Sequence, residues 1–524
     1  MICTVTPEDV RLDLLAGREI ALIDLREEDP FAKDHPLFAA NLPLSRLELE
    51  AFDRLPRKDV RIVLYDDGEG LVTPATTRLR ALGYSNLREL EGGLKGWRSA
   101  ALELFQDVNS ASKAFGELVE ARRHTPSLPA TEAKALIDNE PNLVVLDARR
   151  WDEYQTMSIP RGVSTPGAEL VLRALEIAPD PTTTIIVNCA GRTRSIIGAQ
   201  SLVNAGVPNP VYALRNGAIG WTLAGLALDH GQDRKAPAPS ADHALESQAK
   251  ARAVAYRAGV KRLSPAQLAE LARDRTRTLY RFDVRAPEEY VAGHIPGFRS
   301  APGGQLVQEA DMFAPVRGAR IVLADDRSVR ADMSASWLAQ MGWDVFVLDG
   351  GFDGALEKGE WTAQRPPIPS VETITPSDLA ARLQAGDVTV VDLGSSPAHR
   401  RGHIPGAWFA IRAKLDEALS NLPDDQDVVL TSPDGALAAL TAAEFEVIAD
   451  RTPLVLAGGT AAWRAAGHPL EPGLERPANP PTDVYKRPYE GADHAPELKQ
   501  AYLDWEFGLV DQLERDGTHG FFVI

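Results

Sequence analysis

The chain has 524 residues, more than a single hydrophobic core can organise, so several domains are expected. A formal net charge of −18 argues against nucleic acid and against an anionic membrane as partner, because either would repel the chain overall. No stretch approaches the roughly 20 apolar residues that span a bilayer, and Met1-Ile2-Cys3-Thr4-Val5 lacks a basic leader, so a cytoplasmic protein is expected. Two cysteines exclude a disulfide framework, no Cys/His cluster has zinc-ligand spacing, and no cofactor is expected.

In chain order, one pattern is written four times. The first copy has an apolar run from Ile20 to Arg26, another from Val60 to Tyr65, then Leu90-Glu91-Gly92-Gly93 and Trp97. Residues 107–127 read as a connecting helix. The second copy opens with Leu143-Val144-Val145-Leu146 ending in Asp147-Ala148-Arg149, followed by Glu153-Tyr154 and Ile159-Pro160. Its next run, Thr184-Ile185-Ile186-Val187-Asn188, ends at Cys189; Ser195 to Gly206 reads as a helix, and Val211 to Leu214 leads into Asn216-Gly217 and Trp221. After a polar linker and a second connecting helix over 241–259, the third copy repeats the frame. It has Leu279 to Val284 with Asp283 and Arg285, Glu289-Tyr290, Gly293-His294-Ile295-Pro296-Gly297, Arg320 to Ala324, and Asp349-Gly350-Gly351. The fourth has Val388 to Leu393, Gly402-His403-Ile404-Pro405-Gly406, Val428 to Thr431, and Gly458-Gly459 before Trp463. The step from Asp147 to Asp283 equals the step from Cys189 to Asp325, so copies two and three run without a gap. Apolar runs alternating with helical patterns imply an α/β fold, a parallel sheet covered by helices.

The Asp-x-Arg strand end, the Glu-Tyr and Gly-His-Ile-Pro-Gly segments and the Gly-Gly-x-x-x-Trp segment together resemble the rhodanese domain. The resemblance covers the chain to about residue 475 and implies four tandem rhodanese-like domains, each a small parallel sheet flanked by helices. The expected units are 1–106, 127–232, 260–365 and 370–475, with a C-terminal extension over 476–524. It also implies sulfurtransferase chemistry: a cysteine takes the outer sulfur of thiosulfate or a related donor as a persulfide and passes it to cyanide or a thiol, with a protein acceptor as a further option. A sulfur-relay carrier or binding module is the alternative reading.

Cys189 is the candidate nucleophile. It sits between a strand and a helix, and the loop that follows, Ala190-Gly191-Arg192-Thr193-Arg194-Ser195, can turn its backbone N–H groups toward the sulfur. Those residues are the expected substrate-binding set, with Arg192 and Arg194 adding positive charge at the substrate or else holding the loop by salt bridges, and with a thiol lowered below its ordinary value. Asp147 and Arg149 are expected to support the site, Arg149 by pairing with Asp147, Glu153 or a loop carbonyl. Cysteine phosphatases need an arginine at the sixth position after cysteine. Here that position holds Ser195 and the fifth holds Arg194, so the loop suits the smaller sulfur atom.

The other copies carry Asp66, Asp325 and Ser432 where the second has Cys189, and none of these side chains can form a persulfide. Arg330 is expected to bridge to Asp325. The inactive copies read as scaffolding that closes the active site, a role segments 165–170 and 301–306 suggest, as docking surfaces for an acceptor protein, or as relics of duplication, and Cys3 reads as an ordinary thiol on an edge strand. A terminal helix from Pro496 to Arg515, with Leu498, Tyr502, Trp505, Leu509 and Leu513 near helical spacing, reads as core-packing, or else as a lid or docking element.

Overall fold

The computed structural model describes residues 2–488, 490 and 495–524. Each repeat folds into its own five-stranded sheet, and every pairing within the four sheets is parallel. In the second repeat the order across the sheet is Ser127–Leu128, Val211–Leu214, Thr184–Asn188, Leu143–Asp147, Gly162–Ser164. The strand that ends at Cys189 is therefore central. The chain leaves the neighbouring strand Leu143–Asp147 toward one edge and the central strand toward the other. A crevice beyond the strand ends results from that reversal, the place where open α/β sheets bind ligands.

The Asp-x-Arg motif is a buried anchor for this strand end. Arg149 donates from Nε to Asp147 Oδ1 at 2.9 Å and from Nη2 to Oδ2 at 2.7 Å, and also to the Met157 carbonyl at 2.5 Å. Asp24–Arg26 and Asp283–Arg285 repeat it. In the fourth repeat Gly394 replaces the arginine, and His399 Nδ1 meets Asp392 at 2.8 Å instead.

The repeats do not hang as beads. The first and third share one core, in which Ile23, Leu42 and Leu64 pack with Tyr280, Phe282 and Ile321. The second packs through the connecting helix Ala241–Arg257 onto Val329 and Met333 of the third. Segments 165–170 and 301–306 meet each other across that seam: a Cβ on Gly304 would lie 3.1 Å from the Gly167 nitrogen. Their closing role is thus toward one another.

The C-terminal helix differs from the single helix expected. It is broken at Gly508, whose N–H turns back to the Trp505 carbonyl at 3.0 Å, into Pro496–Phe507 and Leu509–Asp516. Leu509 and Leu513 enter the core shared by the first and third repeats. Phe521 stacks edge-on against Phe38 and Phe115, and the Phe522 and Ile524 N–H groups bond to Gln340. Leu498 stays exposed.

Candidate active site

Cys189 follows the buried strand Thr184–Asn188, and the helix Thr193–Asn204 begins four residues later. The intervening loop is fastened by the turn Asn216-Gly217. The Ala218 N–H donates to the Cys189 carbonyl and the Ile219 N–H to the Ala190 carbonyl, both at 2.9 Å. Gly217 has φ +51°, and a Cβ there would fall 2.5 Å from the Gly191 carbonyl oxygen and closer still to that of Cys189. Only glycine lets the two loops touch. The first and fourth repeats use the same clasp, Leu94 to Asp66 and Thr460 to Ser432. The third repeat has irregular chain where that helix would start.

The degenerate repeats show what this loop is shaped to hold. In the third, Asp325 accepts the N–H of Arg327 at 2.6 Å and of Ala331 at 2.9 Å. In the first, Asp66 accepts from Gly68 at 2.9 Å and from Leu71 at 2.5 Å; in the fourth, Ser432 Oγ accepts from Ala438 at 3.3 Å. Two of the three loops therefore wrap a carboxyl group carried by the chain itself. In the second repeat the residue at the place of Ala331 and Ala438 is Ser195, which favours the thiolate of Cys189, while its hydroxyl donates to the Arg192 carbonyl at 2.8 Å.

The two arginines have other commitments. Arg192 is buried; its guanidinium forks onto Glu117 at 2.8 Å and 2.8 Å, meets Glu120, donates to Asn216 Oδ1 at 2.8 Å and lies over the Phe507 ring. It locks the loop to the helix Ser110–Arg123 and faces carboxylates. Its ion pairs to Glu117 and Glu120 are those of an arginine that holds the loop. Arg194 forks onto Glu153 at 2.8 Å and 2.8 Å while its field acts on Cys189. Burial pushes Glu153 up, yet Arg194, Arg149 and Arg150 outweigh it and hold the carboxyl at about 2. The same pairing recurs between Arg330 and Glu289 in the third repeat, where Arg330 also meets Asp326 at 2.7 Å, Glu169 at 2.8 Å and Asp325 at 3.8 Å.

The thiol itself departs from expectation. Cys189 is 1% exposed, and burial raises its pKa above the ordinary value, against the lowering by Arg194 and Ser195. The cause lies at the far end of the chain. Tyr502 and Leu503 pack on Ala190 and Ile219, and a Cβ on Gly191 would lie 3.2 Å from the Tyr502 ring and 3.6 Å from Glu506 Oε2. Glu506 is fully buried; its Oε1 accepts the Tyr502 hydroxyl at 2.8 Å. Burial and the charge of Glu117 push it up to about 8, with Lys113, Tyr502 and Arg192 opposing. Its proximity raises Cys189 further. Glu117 and Glu506 escaped the sequence reading, and Tyr502 entered it only as a residue of the terminal helix, since nothing in their spacing ties them to a loop so distant in the chain. Cys3 is exposed on the edge strand Cys3–Val5.

The model of the rhodanese-like domain matches residues 6–100, 129–224, 264–358 and 375–466. A solved structure of thiosulfate sulfurtransferase from Pseudomonas aeruginosa is 59% identical, with a TM-score of 0.98 over 100% of both chains. A thiosulfate sulfurtransferase of Azotobacter vinelandii is 32% identical over 158 residues, 26% of this chain and 56% of the relative. An HTH-type transcriptional regulator of Mycobacterium tuberculosis, Rv0324, is 34% identical over 20% of this chain and 46% of its own. The chain thus spans about half the length of these curated relatives.

Proposed function

From the premise that this chain belongs to the rhodanese-like family, we propose that it is a sulfurtransferase working through a persulfide on Cys189. The observation that carries the reading is the loop cradle: its donors bind a carboxylate in two sister repeats, and only in the second is the cradled atom a sulfur. The Cys189 thiolate attacks the outer sulfur of thiosulfate, the S–S bond breaks and its electron pair leaves with sulfite. Cyanide or a thiolate then attacks the same outer sulfur, giving thiocyanate or a new persulfide and returning the Cys189 thiolate. Loop N–H groups from Ala190 to Ser195 balance the negative charge in both steps. Asp147 and Arg149 hold the strand end from which the loop departs. Asp66, Asp325 and Ser432 carry no persulfide, so one repeat turns over and three frame it.

With Cys189 1% exposed, donor entry needs its cover to open, and the helix Pro496–Phe507, packed on Ala190 and Gly191, is the element we assign that movement. That same burial supports the relay alternative, in which a partner protein opens the site and the inactive repeats receive it. Turnover with thiosulfate and cyanide supports the enzyme; stoichiometric loading without turnover supports the carrier. Cys189→Ser is expected to abolish both turnover and the mass gain of one sulfur atom, at unchanged melting temperature. Wild-type activity in that variant would end the assignment.

A further inference from the structure

A second site lies away from Cys189, in the cleft between the first and third repeats. Arg281 stands two residues before the strand-end Asp283; the other repeats have Leu22, Val145 and Val390 there, all buried. Arg299 pairs in the sheet with Phe282, where the sister sheets put Ala40, Val163 and Trp408. Two apolar positions have thus both become arginine in one repeat, and both side chains line the same cleft.

Neither guanidinium has a carboxylate partner among the described residues. Arg281 lies on Gly297, where φ is +75° and a Cβ would sit 2.8 Å from its Nη2. Arg299 reaches only the Asp53 carbonyl at 3.5 Å and the face of Phe313. Burial lowers the pKa of each below the ordinary guanidinium value. Of the acids in the cleft, Asp274 holds Arg320 at 2.6 Å, while Asp53 accepts from Trp361 Nε1 at 2.9 Å and its charge, with that of Glu50, acts on Arg299 from beyond ion-pair distance. Arg57 and Arg277 are paired to Glu19 and Asp344, each outside the cleft lining. Arg281, Arg299 and Arg275 at the rim thus outnumber Asp53, the one acid of the cleft without a cationic partner at ion-pair distance among the described residues. Half-burying a guanidinium with no carboxylate at ion-pair distance is costly, and here it happens twice in one cleft of a chain whose net charge is −18.

We propose that this cleft binds a tetrahedral oxyanion, gripped by the forked N–H donors of Arg281 and Arg299 and closed by Arg275. A sulfur oxyanion and inorganic phosphate share that chemistry. The test is calorimetric titration of full-length Cys189→Ser protein with sulfate, thiosulfate and phosphate at constant ionic strength. The comparison is Arg281→Val with Arg299→Val on the same background, which gives the third repeat the residues of the second. One oxyanion site is expected to weaken roughly tenfold or more in the comparison protein, and the order of affinities tells sulfur oxyanions from phosphate. On the wild-type background the same pair is expected to leave the rate of Cys189 persulfide loading unchanged. Should the valine pair fail to fold, Arg281→Gln with Arg299→Gln keeps the polarity without the charge. Identical isotherms with and without the arginines, or no saturable binding of any of the three anions, would overturn the proposal.

Discussion

Substituting Gly217 by alanine tests whether the clasp on the Cys189 loop positions the sulfur. Two costs apply. A left-handed residue with a Cβ costs about 1–2 kcal/mol, and the new carbon would sit 2.5 Å from the Gly191 oxygen and nearer that of Cys189. Real Cβ atoms avoid anything under about 3 Å, so the two carbonyls must retreat by at least half an ångström or so. Gly206 separates these terms: its φ is +66°, but nothing lies within 4 Å of its Cβ position. Gly206→Ala therefore carries the conformational cost alone, about 1–2 kcal/mol, and is expected to load sulfur at the wild-type rate. Gly217→Ala is expected to melt lower than Gly206→Ala and to load Cys189 on the order of 100-fold more slowly, the scale of a 1 Å misplacement of a reacting group. Stopped single-turnover loading with thiosulfate, read by intact mass beside a thermal melt, measures both. Equal melting and equal loading rates for the two variants would refute the clasp.

Other residues give further outcomes. Arg149→Ala leaves Asp147 charged and buried, and is expected to destabilise by about 3–5 kcal/mol in denaturant melts, as for a broken buried pair. Glu506 is lifted to about 8 in the docked helix from an ordinary value of 4.5, so docking favours its protonated form. The stability that Glu506 lends to docking is therefore fully present below the ordinary carboxylate range and is lost as pH climbs through about 8. Lys113, Glu117, Arg192 and Tyr502, which face this carboxyl, enter the same balance. Cys189 alkylation is expected to rise with pH more steeply in wild type than in Glu506→Gln; superposable profiles would sink this coupling. Arg194→Ala removes the leading influence that lowers the Cys189 pKa, so alkylation at pH 7 is expected to slow and the thiol's midpoint to move upward. An unmoved midpoint would show that Arg194 does not act on the sulfur.

Much of this protein is determined by the sequence alone. Local order in the chain specifies four α/β units, because alternating strand and helix periods with glycine-closed turns are properties of short segments. The same locality places Cys189 on a strand-to-helix loop and makes Asp147 and Arg149, two residues apart, a buried fork. The state of the sulfur belongs to the tertiary structure. In the sequence Arg192 reads equally as a substrate contact or a loop-holding ion pair, and it is the helix Ser110–Arg123 that brings Glu117 against it. The thiol reads as activated until Tyr502, Leu503 and Glu506 come over the loop and strip it of water. Desolvation depends on what the rest of the chain lays over a group, and no spacing of nearby residues encodes that. The cleft arginines follow the same rule: Arg281 and Arg299 stand apart in sequence, and only adjacent strands in one sheet, closed by a second repeat, bring their charges to a single place.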